Sequence, residues 1–308
     1  MAATTASEVR AQRAEIRSTA LALLRECGIS EPPVPTDTLL AACKLDTETF
    51  SYSDRMPPLR PGQRESAKMA ARRELLAHMD IDVKVRGILD TQDHVVYTHN
   101  TLSPDQRRFC TFHELGHFAL PWHRELFYQC SELDMSPETL ATLEQDANWF
   151  AIECAFLGDR FEREVADYRI GISTIRKLTK IYKTSFEATA RHFVESQTAP
   201  VALLVAAPRP DLGSSIDAGQ PLLAVRYAVA SPAMRRLSGG YIPTGTLIPW
   251  RHPATELYLS RSNRQISAPD ILTFASHSSQ LACETELYYN GYNVFILAWP
   301  SRRWLREC

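Results

Sequence analysis

Three absences narrow the class of protein that this sequence can encode. No stretch reaches the roughly 18 uncharged apolar residues that a membrane-spanning helix needs, so we expect no membrane association. The seven cysteines are widely spaced and contain no Cys-x-x-Cys pair, so neither a disulfide framework nor a cysteine zinc cluster is expected. The 34 basic and 36 acidic residues leave a net charge of -2, which gives no overall field to attract nucleic acid. We therefore expect no direct DNA binding.

The amino-terminal region favours a cytoplasmic location. Arg10, Arg13 and Arg17 lie where a secretory signal peptide needs an unbroken apolar segment. Of the 308 residues, 44% are hydrophobic and 23% are charged, which is typical of a folded protein. At roughly 150 residues per domain, this length predicts about two domains.

The order of the predicted elements indicates an α+β protein. Helical spacing over 7–27 is followed by a strand pair over 85–100, and strands dominate after Pro200. Two helices with proline in their first turn follow Ser103 and Ser136. The pattern predicts a mostly helical domain with a small β-sheet at 1–160, a helix-turn-helix-like pair at 161–200 and a strand-rich domain at 201–308.

The helix after Ser103 contains the motif HELGH, in which His113, Glu114 and His117 are candidates for metal binding and catalysis. Residues four apart lie on nearly the same face of a helix, so both imidazoles can bind one metal ion. Glu114 lies one position round the helix, where it can accept a proton from a water molecule at the metal and pass it to a leaving amine. Two imidazoles and a carboxylate with an open fourth position suit zinc, with manganese or another divalent metal as the alternative.

The third metal ligand has two candidates. His123 stands where an extended HExxHxxGxxH pattern would place a histidine, but that pattern needs glycine at the position of Leu120. Glu144 lies in the second helix with Asn148 one turn later, so Glu144 can bind the metal while Asn148 orients a ligating histidine. We favour Glu144 as the ligand and keep His123 as a candidate residue of the substrate cleft.

These motifs resemble those of the ImmA/IrrE family of metallopeptidases. The segment RRFCTFHELGHFAL, followed by EQDANWFAIECAFL, is similar to the family's helical HELGH and later ExEANxFAxxLLMP. The resemblance extends over residues 15–198. It implies a gluzincin-like zinc site in which His113, His117 and Glu144 bind the metal and Glu114 is the catalytic base.

The resemblance also implies a function. Members of the family are intracellular proteases of bacteria or phages that cleave a helix-turn-helix transcriptional repressor and so release a stress or DNA-damage response. In the radiation-response branch, a zincin-like catalytic domain and a helix-turn-helix-like segment precede an α/β GAF-like domain that senses a signal. By analogy, residues 201–308 would form such a domain with a small-molecule or other signal ligand. The alternative function is a signal-binding regulatory protein that acts by protein–protein interaction, with a structural metal site.

Two features depart from the pattern of the family. The residues from Phe156 to Asp159 read FLGD where the family has LLMP, so the exit from the second helix is expected to differ. The arginine-rich segment 53–84 looks like an insertion, and a solvated surface helix is a simpler interpretation of it than a nucleic-acid contact.

Overall fold

The structure is a computed structural model of mixed α+β architecture. It describes residues 6–51, 86–129, 136–209, 222–237, 245–262, 265–275 and 280–301. The surface helix predicted within 53–84 lies outside these residues. Contacts divide the chain into two units, one made of residues 1–161 with 181–184 and the other of residues 162–180 with 185–308.

The first unit is mostly helical in its described part. Its helices are α1 (Ala6–Glu26), α2 (Thr36–Ala42), α3 (Pro104–Ala119), α4 (Pro121–Gln129) and α5 (Pro137–Phe156). Its strands are β1 (Asp46–Phe50), β2 (Gly87–Asp90) and β3 (Val95–His99). Two further helices, α6 (Asp159–Ala166) and α7 (Ile172–Tyr182), have residues in both units.

The three strands form a small sheet in the order β1-β3-β2. The predicted hairpin is present, because β2 and β3 pair antiparallel and the carboxylate of Asp90 accepts hydrogen bonds from two backbone N–H groups of the turn. Strand β1 was not predicted, and it pairs parallel with β3. A small core of Phe50, Ile88, Val95 and Tyr97 holds the sheet together.

Helix α3 begins and ends as its sequence predicts. The Ser103 side chain accepts a hydrogen bond from the Gln106 N–H, and the Gln106 side chain accepts one from the Ser103 N–H, which completes a capping box. Leu120 is fully buried and extended, at φ -76° and ψ 118°. The chain therefore makes no left-handed turn after the motif, and Pro121 begins α4 at once.

Helices α3 and α5 pack closely because small residues face each other. A Cβ atom on Gly116 would lie 3.1 Å from Ala147 Cα and 3.2 Å from Phe150 Cβ, which is closer than side chains normally approach. Helix α5 starts with the Ser136 side chain as its cap and ends at Leu157, which is left-handed at φ 57°. Helix α6 begins soon afterwards, at Asp159, and the expected difference from the family at this exit stays a prediction.

The second unit contains a six-stranded antiparallel sheet in the order β6-β5-β4-β9-β8-β7. Leu204, Met234 and Leu257 belong to the core on one face of this sheet. On the other face, Phe186 packs against Tyr288 and Phe295. The elements of this unit are α8 (Phe186–Glu195), β4 (Ala202–Pro208), β5 (Leu223–Ala230), α9 (Pro232–Leu237), β6 (Leu247–Ile248), α10 (Pro253–Leu259), β7 (Gln265–Ala275), β8 (Gln280–Tyr289) and β9 (Val294–Pro300).

The close approach of α3 and α5 makes Gly116→Ala a test of the packing. Alanine favours helix formation by about 1 kcal/mol over glycine, but the added methyl group must push the helices apart, at a cost of about 1–3 kcal/mol. We expect faster amide exchange along α3 in the full chain. Gln145→Ala, on the exposed face of α5, is the control and should leave this exchange unchanged. Unchanged or slower exchange in Gly116→Ala would contradict the close packing.

Candidate metal centre

Three predicted ligands converge between α3 and α5. The Nε2 atoms of His113 and His117 lie 3.2 Å apart. One carboxylate oxygen of Glu144 lies 3.1 Å from His113 Nε2, and the other lies 3.4 Å from His117 Nε2. Among the residues that the structure describes, these three are the group of histidine, cysteine and acidic side chains whose spacing could hold a metal ion.

The centre is buried on its histidine side and open on its glutamate side. The side chains of His113 and His117 are 14% and 7% exposed, whereas that of Glu144 is 58% exposed. The two histidines arise one turn apart on α3, whose Leu115 and Phe112 are buried in the core. Rigid packing therefore fixes the histidines, and solvent reaches the centre past Glu144.

Each histidine has a polar partner at its other ring nitrogen. His113 Nδ1 lies 3.2 Å from the side-chain oxygen of Asn148, which fits the predicted orienting role of that residue. His117 Nδ1 lies 3.0 Å from His123 Nδ1. His123 has no exposed surface, so the structure places this candidate cleft residue behind His117 and away from solvent.

Asp146 is a buried contact of this group that was not predicted from the sequence. Its Oδ2 atom accepts hydrogen bonds from Gln12 Nε2 at 2.7 Å and from Trp122 Nε1 at 3.0 Å. His123 Nε2 lies 3.6 Å from the same oxygen. The sequence carries one signal for it, because Asp146 lies three positions after Leu143 and four before Phe150 and so falls on the apolar face of α5.

Glu114, the predicted base, is 6% exposed and lies beside the first residue of β2. A Cβ atom on Gly87 would clash with Cys110 Sγ and would lie 2.7 Å from Glu114 Oε1. Gly87 therefore leaves the space that the Glu114 carboxylate occupies. This requirement was not apparent in the sequence, because it depends on how β2 packs against α3.

The charges of the centre influence one another. Burial raises the pKa of Glu144, but hydrogen bonds from His113 and His117 outweigh it and lower the pKa well below its usual range. Burial likewise lowers the pKa of His113, but the hydrogen bond to Glu144 and the charges of Glu114 and Glu144 outweigh it and raise that pKa. Without a metal, Glu144 and His113 therefore each favour the charged form of the other.

Two histidines and a glutamate that meet at a partly open site are typical of divalent-metal hydrolases. Residues 67–193 match the Peptidase M78 family, described as the IrrE N-terminal-like domain. The chain therefore contains a metallopeptidase domain of the ImmA/IrrE family, as the motifs predict. The match to this family implies a divalent metal, and His113, His117 and Glu144 form a group that could bind one.

The fold also resembles that of a solved structure. A Mycobacterium tuberculosis protein named as a transcriptional regulator superposes with a TM-score of 0.51 at 13% sequence identity. The similarity covers 93% of this chain and 76% of that one. No curated protein sequence is significantly similar to this chain. Among the described residues, no helix has the length and apolar character required to span a bilayer.

The raised pKa of His113 predicts how metal binding depends on pH. Imidazole binds a metal in its neutral form, so protons compete with the metal. Because Glu144 stabilises protonated His113, this competition begins at a higher pH than for an ordinary histidine, whose pKa is about 6.5. We expect zinc affinity, measured by competition with a chelator, to fall steadily from about pH 8 towards about pH 6. Affinity that stays constant over this range would contradict the prediction.

Proposed function

We propose that the chain is an intracellular zinc-dependent endopeptidase that cleaves a helix-turn-helix transcriptional repressor at one or a few bonds. The observation that carries the proposal is the meeting of His113, His117 and Glu144 at an open site, with the buried carboxylate of Glu114 on the residue that follows His113. The family match supports peptidase chemistry. The repressor substrate, and the release of a stress or DNA-damage response, rest on the resemblance to ImmA/IrrE proteases.

The spacing of the donor atoms supports zinc. Ligands at about 2.0–2.1 Å from a tetrahedral zinc ion lie about 3.3 Å from one another. The two Nε2 atoms of the centre are 3.2 Å apart, and the two oxygens of Glu144 lie 3.1 Å from His113 Nε2 and 3.4 Å from His117 Nε2 respectively. The oxygen and nitrogen donors also suit zinc, and exposed Glu144 leaves a side where a fourth position can open to substrate.

Each side chain of the site has a separate role in peptide hydrolysis. Bound zinc would supply Lewis acidity and lower the pKa of water in the site. His113, His117 and Glu144 would hold the ion, and Asn148 would keep the His113 ring in place through its Nδ1 atom. Glu114 would accept the proton of the attacking water at its carboxylate and deliver it to the amine that leaves. Its burial keeps the carboxylate in one position for both transfers.

We propose that residues 201–308, which belong to the second unit, form a GAF-like sensor domain for a small-molecule or other signal. An antiparallel sheet covered by helices on both faces is compatible with this assignment, which otherwise rests on analogy.

Helix α8 makes side-chain contacts within the second unit, because Tyr227 and Asn293 donate hydrogen bonds to Glu187 in its first turn. A recognition helix presents that turn to DNA bases, so these contacts favour a protein-binding role over DNA binding.

The alternative is a signal-binding regulatory protein with a structural metal site. A structural zinc site is closed by four protein ligands, whereas a catalytic site keeps a position for water or substrate. The exposure of Glu144 favours the catalytic interpretation. His123 does not supply the fourth ligand in this arrangement, because its Nδ1 faces His117 Nδ1 and its ring is buried behind that residue.

Glu114→Gln separates catalysis from metal binding. The amide cannot accept the proton, so we expect cleavage to fall by about 10²–10⁴-fold while the protein still binds one zinc ion. The purified variant and the wild type would each be added to a cell extract, and new protein amino termini would be identified by mass spectrometry. A repressor cut by the wild type alone is the expected result. Equal cleavage by both proteins would exclude Glu114 as the base.

Gly87→Ala tests the space around Glu114 without changing a charged group. The new methyl group should displace the Glu114 carboxylate and reduce cleavage of the same substrate, although the three metal ligands are untouched. Zinc content, measured by elemental analysis, is expected to stay at that of the wild type. Full activity in Gly87→Ala would show that the position of Glu114 is not fixed by this contact.

A further inference from the structure

We infer that His123 and Asp146 form a buried relay that sets the orientation and tautomer of the metal ligand His117. This inference rests on the proposed metal site and assigns roles to two residues that lie outside it. In this relay, His123 and Asp146 are positioning residues, since they act on the metal through His117.

The first step of the relay is the contact between two imidazoles. His117 points its Nε2 towards His113 and Glu144, so its Nδ1 faces the other way, where His123 Nδ1 lies 3.0 Å from it. A neutral imidazole that binds metal through Nε2 carries its proton on Nδ1. His117 must then donate this proton to His123, and His123 Nδ1 must be unprotonated to accept it.

The second step follows from the chemistry of a neutral histidine. With Nδ1 as the acceptor, His123 carries its proton on Nε2, and that atom lies 3.6 Å from Asp146 Oδ2. This separation is too long for a strong hydrogen bond, so the effect of Asp146 is mainly electrostatic. The negative carboxylate favours the N–H dipole that points towards it, and the side chains of both residues are at most 1% exposed.

The third step fixes the carboxylate itself. Gln12 from α1 donates a hydrogen bond to Asp146 Oδ2 at 2.7 Å, and Trp122 from α4 donates another at 3.0 Å. These two donors come from different helices, so Asp146 is held by the packing of α1 and α4 against α5. The orientation of His117 therefore depends on helices that contribute no metal ligand.

The two ligating histidines are thus supported in different ways. His113 faces the neutral amide of Asn148, whereas His117 faces an imidazole backed by a carboxylate. Outer partners of this kind typically change metal affinity by about 10–100-fold when they are removed. The relay directs the Nδ1–H of His117 towards a ring that faces a negative charge.

Zinc affinity of the full chain, measured by competition with a chromophoric chelator, tests the relay. We expect zinc to bind about 10–100-fold more weakly in His123→Ala and in Asp146→Asn. His123→Asn should recover part of the loss, because its amide oxygen can accept the His117 proton although it cannot reach Asp146. Wild-type affinity in both His123→Ala and Asp146→Asn would overturn the inference.

Glu153→Gln is the matched control for Asp146→Asn. Glu153 lies two turns further along α5, is also a buried carboxylate and also contacts α1, where Arg17 Nε lies 3.4 Å from it. A general loss of packing between α1 and α5 would weaken zinc binding in both variants. The relay predicts unchanged zinc affinity in Glu153→Gln, and an equal loss in the two variants would overturn it.

Nitrogen NMR of the imidazole rings is measured on the zinc-loaded wild type, so its result does not depend on whether a variant folds. The relay predicts protonated Nδ1 in His117 and protonated Nε2 in His123, and the opposite tautomer of His123 would overturn it.

The same samples distinguish the relay from the proposed function. Zinc binding with the predicted tautomers but without proteolysis would leave the relay standing and reject the peptidase. A wild type that binds no zinc would reject both.

Discussion

The close contact between α3 and α5 is the constraint on which the candidate site depends. Gly116 has no side chain, and Ala147 has only a methyl group, so the backbones of the two helices pack closely against each other at these residues. A wider separation of the two helices would move the Glu144 carboxylate away from the imidazoles on α3. The glycine and the alanine inside the two motifs are thus as necessary to the geometry as the histidines and the glutamate beside them.

The same packing organises the surroundings of the three ligands. Asn148 and Asp146 project from α5 on either side of Ala147, and they reach His113 and His123 respectively. Gly87, on strand β2, leaves room for Glu114 on the remaining side of α3. A metal in this centre would be supported by the two helices that carry the ligands, by α1 through Gln12, by α4 through Trp122 and His123, and by a sheet edge. Its chemistry would therefore be coupled to the stability of the whole unit.

Local signals in the sequence predicted the parts of this unit that are set by neighbouring residues. Serine caps and proline located the starts of α3 and α5. The separation of Glu144 and Asn148 by one helical turn made them candidates for a metal ligand and for the residue that orients a ligating histidine. Strand β1 was missed, because only Phe50 of its five residues is buried and its polar sequence carries no apolar alternation. Asp146 and Gln12 were missed because they are 134 residues apart and meet only in the folded chain. The metal-binding roles of His113, His117 and Glu144 stay predictions, although the structure brings them together.

The most direct test of the central claim is zinc K-edge X-ray absorption on the zinc-loaded chain. The account predicts a four-coordinate ion with two imidazoles and oxygen ligands, all at about 2.0–2.1 Å, and the loss of one imidazole in His113→Ala. Sulfur scattering at about 2.3 Å would instead place the zinc on cysteines, and would contradict a centre built from His113, His117 and Glu144.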